Sequence, residues 1–204
     1  MPRKRLNRDE SRAQTRQLLL AAAGRVIAKR GFGGTSVEDI AVEAGYTRGA
    51  FYSNFKGKDD LFVELLRHDH EEMLEVFREI FRSTQDMDDL GKRLRTFYGQ
   101  IFRNNDHCLL WMEARLHAVR HASFRTRLNQ LINEMRAHVT GFIERYHTLT
   151  GATPPIPARE LAIGLISLAE SIKFTHLVDP REVDDAVANR ILELFFGSVM
   201  EARA

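Results

Sequence analysis

The chain has 204 residues, of which 44% are hydrophobic and 28% charged, proportions typical of a globular protein with a sizeable core. No run of eighteen apolar residues occurs, and the first residues are charged rather than apolar. We therefore expect a soluble cytoplasmic protein without a membrane span or a signal peptide. The single cysteine, Cys108, excludes an internal disulfide and is expected to be a buried structural thiol.

Charge is distributed unevenly along the chain. Residues 1–65 carry 12 basic and 8 acidic side chains, a net charge of +4, whereas residues 66–204 carry 18 and 20, a net charge of −2. Nine of the basic residues lie within residues 1–30. This asymmetry favours a polyanionic partner at the N-terminal end, although a solvated tail would explain the charge equally well.

The first three predicted helices follow one another closely along the chain. Apolar residues recur at a period near 3.6 in almost every segment, which predicts an all-α fold. A helix over about 9–30 ends at Gly31, which supplies the left-handed conformation that a helix terminus favours. A capping box of Thr35 and Glu38 predicts the start of a second helix, which ends near Ala44. Gly45 breaks that helix, and a third spans 47–54.

The remainder of the chain is predicted to be helical as well. Gly151 and the prolines that follow it exclude a helix over 151–157, and Asp179-Pro180 divides the last two helices. The predicted helices lie at about 59–83, 88–104, 107–120, 123–149, 158–178 and 182–202.

Two short helices joined by a glycine turn have the layout of a helix-turn-helix, whose second helix lies in the major groove of DNA. At about 100° per residue, Phe51 and Phe55 point inward. The residues that point outward are Arg48, Gly49, Tyr52 and Ser53.

The outward residues suit DNA recognition. Arginine offers a forked donor for guanine O6 and N7, and glycine lets the backbone approach the duplex. The hydroxyl groups of Thr47 and Tyr52 suit phosphate oxygens. Lys56 and Lys58 lie just past this helix and would add affinity without sequence information.

The stretch 40–61, IAVEAGYTRGAFYSNFKGKDDL, closely resembles the DNA-binding signature of the TetR/AcrR family, and GFGGTSV at 31–37 fits the same pattern. The resemblance covers roughly residues 14–66. It implies an N-terminal three-helix DNA-binding domain with a helix-turn-helix, and a C-terminal helical domain that dimerises and binds an effector. We place these domains at 1–60 and 61–204.

The resemblance also implies roles for single residues. Thr35 or Ser36, together with Thr47, Tyr52 and Lys58, would contact phosphate, and Arg48 and Gly49 would lie against base edges. Asn54 stands where the family often has histidine or tyrosine, and we expect it to donate to phosphate. Tyr46 replaces a smaller aliphatic residue, and we assign it no role.

The last two helices, 158–178 and 182–202, are apolar enough to form half of an intersubunit four-helix bundle, as the resemblance also implies. Their pattern by itself slightly favours an ordinary intrachain core. We expect a homodimer that binds near-palindromic double-stranded operator DNA.

Several aromatic and acidic residues of the C-terminal domain could contact an effector. Aromatic residues at helical spacing more often belong to a core, and carboxylates in apolar helices can pair with Arg115 or Lys173 or face water. The candidates are Phe97, Phe102, Trp111, Glu113, Phe142, Glu170 and Phe174.

Enzymatic and metal-binding functions find little support. His117 and His121 are one turn apart, yet no third ligand follows at a recognisable spacing, so we expect no metal site. A nucleophile elbow, a phosphate loop and a glycine-rich dinucleotide turn are absent, so we expect neither catalysis nor a cofactor.

The leading hypothesis is a repressor released by a small molecule. The alternatives are an activator or ligand-independent regulator of the same fold, and a helical protein-binding adaptor.

Overall fold

A computed structural model of the chain describes residues 7–83, 89, 92–93, 105–151 and 153–200. These residues contain eight helices, which confirms the predicted all-α class. Except for residues 89, 92 and 93, the predicted helix at 88–104 lies outside the described residues. The helices are α1 (Arg8–Arg30), α2 (Val37–Glu43), α3 (Arg48–Tyr52), α4 (Lys58–Ser83), α5 (Asn105–Arg120), α6 (Ala122–Thr150), α7 (Ala158–Val178) and α8 (Asp185–Met200).

The described residues form two compact units. The first unit contains the residues up to His70 together with Leu109–Leu128, and the second contains those from Glu71 to Cys108 and from Asn129 onward. The first unit therefore includes the start of α4 and most of α5 in addition to α1, α2 and α3. The predicted domain division at residue 60 stays a prediction.

The core of the first unit is built on α1. The apolar stripe expected on this helix is buried, as its 3.6-residue period requires. The ring of Phe32, just after α1, stacks on Phe62 of α4 at 4.4 Å between centroids and lies 6.3 Å from Phe124. The buried residues of α1 are Leu19, Leu20, Ala22, Ala23, Val26 and Ile27.

The start of α2 lies one residue later than the sequence predicts. The N-cap is Ser36, whose Oγ accepts the Asp39 N–H at 3.0 Å, while Asp39 Oδ2 accepts the Ser36 N–H at 2.9 Å. These hydrogen bonds from Ser36 lower the pKa of Asp39 below its usual value. The predicted capping box of Thr35 and Glu38 is therefore wrong, because Thr35 is buried and its hydroxyl donates to the Gly31 carbonyl at 2.8 Å.

The second unit consists of helices packed through apolar contacts. Phe77 and Phe81 of α4 are buried against Phe142 and Tyr146 of α6. Further along α6, Ile143 packs against Leu161 and Ala162 of α7. Helices α7 and α8 meet through a buried cluster of Ile172, Ala188 and Leu192.

Helix α7 presents more apolar surface than the described part of the chain covers. Helix α7 is long enough to cross a membrane, and its most apolar window of 18 residues has a mean hydropathy of 1.4. Only 28% of that window is buried. Ile163, Phe174 and Val178 of α7 and Leu194 of α8 are exposed. A single such helix is weak evidence for a membrane span, because a helix at a subunit interface has the same composition.

Candidate nucleic-acid interface

The turn between α2 and α3 is tight and held by backbone hydrogen bonds. Gly45 has a φ of 76°, a value that L-residues with a Cβ rarely adopt. The Tyr46 N–H donates to the Ala41 carbonyl at 2.8 Å, and Thr47 Oγ1 then caps α3 by accepting the Ala50 N–H at 3.2 Å. Helix α3 is thus anchored to α2, and it ends at Tyr52, two residues before the predicted end.

The inner face of α3 is anchored by two aromatic side chains. Phe51 and Phe55 are both buried, as predicted, with their ring centroids 5.6 Å apart. The guanidinium of Arg16, on α1, lies 4.3 Å from the centroid of the Phe55 ring. Arg16 also donates to the Asn54 carbonyl and pairs with Glu64 of α4, so the chain after α3 is held by two other helices.

The outer face of α3 carries exposed polar groups. Arg48 pairs with Glu38 of α2 at 2.8 Å, and its Cζ lies 5.5 Å from the centroid of the half-exposed Tyr52 ring. The hydrogen bond with Tyr52 and the charge of Glu38 raise the pKa of Arg48. Because the Arg48 and Glu38 side chains are 64% and 53% exposed, solvent screens their attraction, and a polyanion can replace Glu38 at small cost.

The chain itself gives no steric reason for a glycine at position 49. A Cβ built there would meet only Thr47 Oγ1, at an ordinary 3.7 Å. Glycine lowers the stability of a helix relative to alanine. The absence of a side chain on this exposed helix therefore fits a close approach by another molecule.

Lys58 contacts the protein backbone and not only solvent. Its Nζ donates to the carbonyl oxygens of Phe32 at 2.8 Å and Thr35 at 2.7 Å, and it lies 4.2 Å from the centroid of the Phe32 ring. Burial lowers the pKa of Lys58, and the nearby Asp59 carboxylate opposes this shift. In this structure Lys58 holds the turn between α1 and α2, and its predicted phosphate contact stays a prediction.

Two further predicted phosphate ligands face the protein. Thr35 is 2% exposed and bonded to Gly31, so of the two alternatives only the exposed Ser36 is placed to reach DNA. The Asn54 amide nitrogen donates to the Ala50 carbonyl at 2.8 Å, which turns the side chain back on its own helix. The interface that the structure brings together therefore comprises Ser36, Thr47, Arg48, Gly49 and Tyr52.

Much of the basic charge on α1 is neutralised within the first unit. Arg25 pairs with Glu43 at 2.9 Å, and Arg30 pairs with Asp39 at 3.0 Å. With Arg16 bound to Glu64, three of the six basic residues that the structure describes before residue 31 have acidic partners on other helices. Net charge therefore overstates the number of cations that this surface offers to a polyanion.

Two functional features escaped the sequence analysis. The contact of Arg16 with Glu64 joins residues 48 positions apart, and no local pattern signals it. Tyr46 packs toward α1, with its hydroxyl 3.4 Å from Thr15 Oγ1. That contact gives Tyr46 a structural role, which the sequence left open.

The predicted effector residues do not form a single described site. Phe97 and Phe102 lie outside the described residues. In the first unit, the buried Trp111 donates its Nε1–H to Asp69 at 2.8 Å, and Glu113 accepts the Phe32 N–H at 3.0 Å. The Glu113 carboxylate thus binds the backbone after α1, and its predicted contact with an effector stays a prediction.

The other three predicted effector residues lie in the second unit. Phe142 stacks on Phe81 at 4.7 Å and belongs to an apolar cluster, whereas Phe174 is 44% exposed. Glu170 lies near the buried pair of Cys108 and Lys173. Burial raises the pKa of the Cys108 thiol, Lys173 opposes this shift and Glu170 adds to it.

The histidine pair on α5 has a structural explanation. His117 Nε2 lies 3.2 Å from Asp59 Oδ1, and its ring stacks on His121 at 3.9 Å between centroids. Among the residues that the structure describes, no group of three or more histidine, cysteine, aspartate or glutamate side chains is arranged to hold a metal ion.

A three-helix unit whose third helix is anchored by its inner face and exposes arginine, glycine and tyrosine on its outer face defines a helix-turn-helix DNA-binding protein. Residues 19–65 match the family model described as bacterial regulatory proteins, tetR family. This N-terminal segment therefore carries the DNA-binding signature of the TetR family. This assignment agrees with the expectation that the protein is not an enzyme.

Similar proteins include both a transcriptional repressor and a transcriptional activator. The chain is 31% identical to the transcriptional repressor KstR2 of Rhodococcus jostii over 127 residues, which cover 62% of each chain. It is 33% identical to the transcriptional activator FasR of Mycolicibacterium smegmatis over 103 residues, 50% of this chain and 44% of FasR. The matched segments thus span less than two thirds of either relative.

A solved structure extends the likeness of the fold over most of the chain. A protein described as a transcriptional regulator from Saccharomonospora viridis, in complex with choline, superposes with a TM-score of 0.74. The superposition covers 90% of this chain and 96% of that protein, at 21% sequence identity. At this identity the likeness establishes the fold.

We predict that Lys58→Met lowers the free energy of unfolding by about 1–3 kcal/mol, because two backbone carbonyl groups lose their donor. The matched change Lys56→Met, at an exposed position, should alter stability by less than about 0.5 kcal/mol. Lys56→Met should instead weaken binding to DNA of any sequence. It should also reduce by about one the slope of the logarithm of the binding constant against the logarithm of the salt concentration, here called the salt slope. Urea denaturation and DNA titrations at several salt concentrations measure both effects. If Lys58→Met is as stable as the wild type and has a reduced salt slope, Lys58 contacts phosphate instead.

We predict that Gly49→Ala weakens DNA binding without lowering stability. Alanine raises helix stability by roughly 0.5–1 kcal/mol over glycine, and the structure has room for its Cβ. The control is Gly141→Ala in α6, where a Cβ would meet nothing within 4 Å. Thermal unfolding should show both variants at least as stable as the wild type, and only Gly49→Ala should lose affinity. Equal affinity for all three proteins would refute a close approach of DNA at Gly49.

Proposed function

We propose that this protein is a dimeric transcriptional repressor that binds near-palindromic operator DNA and is released by a small-molecule effector. The observation that carries the proposal is the outer face of α3, where Arg48, Gly49 and Tyr52 are exposed beside the capping Thr47. These groups suit base edges and phosphates, and the inner face of α3 holds them in place. The match of residues 19–65 to the TetR family model supports the regulatory role, and operator binding implies a cytoplasmic location.

We propose that the dimer forms through α7 and α8, in the regions predicted at 158–178 and 182–202. The exposed apolar side chains of this helix pair support the proposal, since a second copy would cover them. One short recognition helix buries little surface, so tight specific binding needs two of them. The two half-sites should then lie about one helical turn of DNA apart or more.

We propose that the effector binds in the second unit, near Glu170 and Phe174. The solved regulator from Saccharomonospora viridis, whose structure contains choline, supports a small-molecule site in this fold. The Glu170 carboxylate suits a cationic group, and the half-exposed ring of Phe174 suits its apolar part. Phe142 and Trp111 already have packing partners, so we give them a smaller part in this proposal.

Activation in place of repression is the second candidate, and the similarity to FasR favours it. A reporter gene placed behind the selected operator separates the two. A repressor lowers expression when the protein is supplied, whereas an activator raises it. The sign of regulation is independent of the DNA-binding test that follows.

We predict that selection from a random DNA pool yields a two-fold symmetric site that a dimer binds at micromolar concentration or below. Arg48→Ala should then relax the preference at one base pair in each half-site, at a cost of about 1–3 kcal/mol per bidentate contact. The control is Arg78→Ala, which removes an arginine that is also exposed and ion-paired, with Glu75. Sedimentation gives the oligomeric state, and competition with single-base variants gives the preference. A monomer that binds one half-site as tightly as the full site would defeat the proposal.

We predict that operator DNA and effector weaken each other's binding by the same factor, because the two equilibria are linked. Choline serves as a cationic probe and decanoate as an apolar one, and fluorescence of the only tryptophan, Trp111, reports binding. Glu170→Gln should weaken binding of the cationic probe selectively. A probe whose affinity is the same with and without operator is no inducer. If a probe that does act as an inducer binds Glu170→Gln as tightly as wild type, the site is misplaced.

A further inference from the structure

The backbone between α1 and α2 is held by charged side chains from two other helices. We call residues Gly31–Gly34 the Phe32 turn. At this turn the Phe32 N–H donates to Glu113 Oε2 of α5 at 3.0 Å, and the Phe32 carbonyl accepts from Lys58 Nζ of α4 at 2.8 Å. Both polar groups of one peptide residue are thus bound by ionised side chains, whose hydrogen bonds are stronger than neutral ones.

The absence of a side chain at Gly31 leaves room for the Glu113 carboxylate. Its φ of 74° disfavours any residue with a Cβ, and a Cβ built at this position would lie 3.0 Å from Glu113 Oε1. The backbone conformation therefore disfavours a side chain at residue 31, and the space beside Glu113 is tight. The carboxylate fills the place that a side chain would occupy, beside the last turn of α1.

The helix that carries Glu113 is itself fastened to α4 on both sides of this residue. Trp111 Nε1 donates to Asp69 at 2.8 Å, and His117 Nε2 lies 3.2 Å from Asp59. All of these residues belong to the first compact unit. Glu113 therefore reaches the Phe32 turn from a helix whose position is already set.

The Phe32 turn lies directly before α2, the helix that precedes the recognition helix α3. Ser36, the N-cap of α2, follows it by two residues, and α2 packs against both α1 and α3. A rotation about the Phe32 turn would carry α2 and α3 with it. In a dimer, such a rotation changes the distance between the two recognition helices, which must match the half-site spacing.

We propose that Glu113 is a positioning residue, which through the Phe32 amide sets the orientation of α2 and α3 and so the half-site spacing that the dimer accepts. This inference rests on the proposed operator binding. Glu113 touches no DNA, so its substitution leaves the base preference within each half-site intact. The selectivity for spacing changes instead.

The test separates the reach of the side chain from its charge. Glu113→Asp keeps the charge but is one methylene too short, whereas Glu113→Gln keeps a carbonyl acceptor at the same reach. Glu144→Asp, at an exposed position of α6, is the control for the lower helix propensity of aspartate. All variants are made in the full chain and titrated with the selected operator and with duplexes whose half-sites are one or two base pairs closer or farther apart.

We expect Glu113→Asp to accept the altered spacings almost as well as the selected one, and Glu113→Gln and Glu144→Asp to keep the wild-type preference. Hydrogen exchange of the Phe32 amide should be about 10- to 100-fold faster in Glu113→Asp than in wild type, as the loss of a hydrogen bond to a charged acceptor predicts. Melting temperatures verify that each variant is folded.

The outcomes distinguish the two proposals. If the wild type selects no symmetric site, operator binding by a dimer is wrong. If the wild type selects one, and Glu113→Asp exposes the Phe32 amide yet keeps the wild-type spacing preference, the positioning role of Glu113 is wrong. Loss of the spacing preference in Glu144→Asp as well would also overturn it.

Discussion

The turn between α1 and α2 is held by two side chains of opposite charge, Glu113 and Lys58. Its backbone lies beside stacked aromatic rings, where an unpaired N–H or carbonyl would cost free energy. Glu113 binds the N–H of Phe32, and Lys58 binds its carbonyl and that of Thr35. The rest of the first unit follows from this arrangement, because α2 begins two residues after the turn and α3 packs against α2.

The first unit uses much of its charge for architecture. Arg16, Arg25 and Arg30 each join α1 to an acidic residue of another helix, and Lys58 joins α4 to the turn. The groups left exposed on α3 are few, and Arg48 is the cation among them. A DNA-binding surface of this kind is specific because its framework holds a small number of polar groups at defined positions.

Helix α5 shows how a local pattern leaves the partner of a side chain open. Trp111 and Glu113 were candidates for contact with an effector, and His117 was not expected to bind a metal. Each has a polar partner within the first unit: Asp69, the Phe32 amide and Asp59. The requirement that buried polar groups be paired was correct, but the partners are protein atoms.

The sequence by itself determined the helical class, the stripe of α1, the boundaries of α7 and the exposed face of α3. These features follow from periodicity, prolines and glycine turns, which act over a few residues. Only the tertiary structure decided which of Thr35 and Ser36 is exposed, and that Lys58 and Glu113 serve the backbone. Their contacts with Phe32 join residues 26 and 81 positions apart, and Arg16 meets Glu64 across 48. A side chain's partner at such a distance is set by how the helices pack, which no local pattern of residues records.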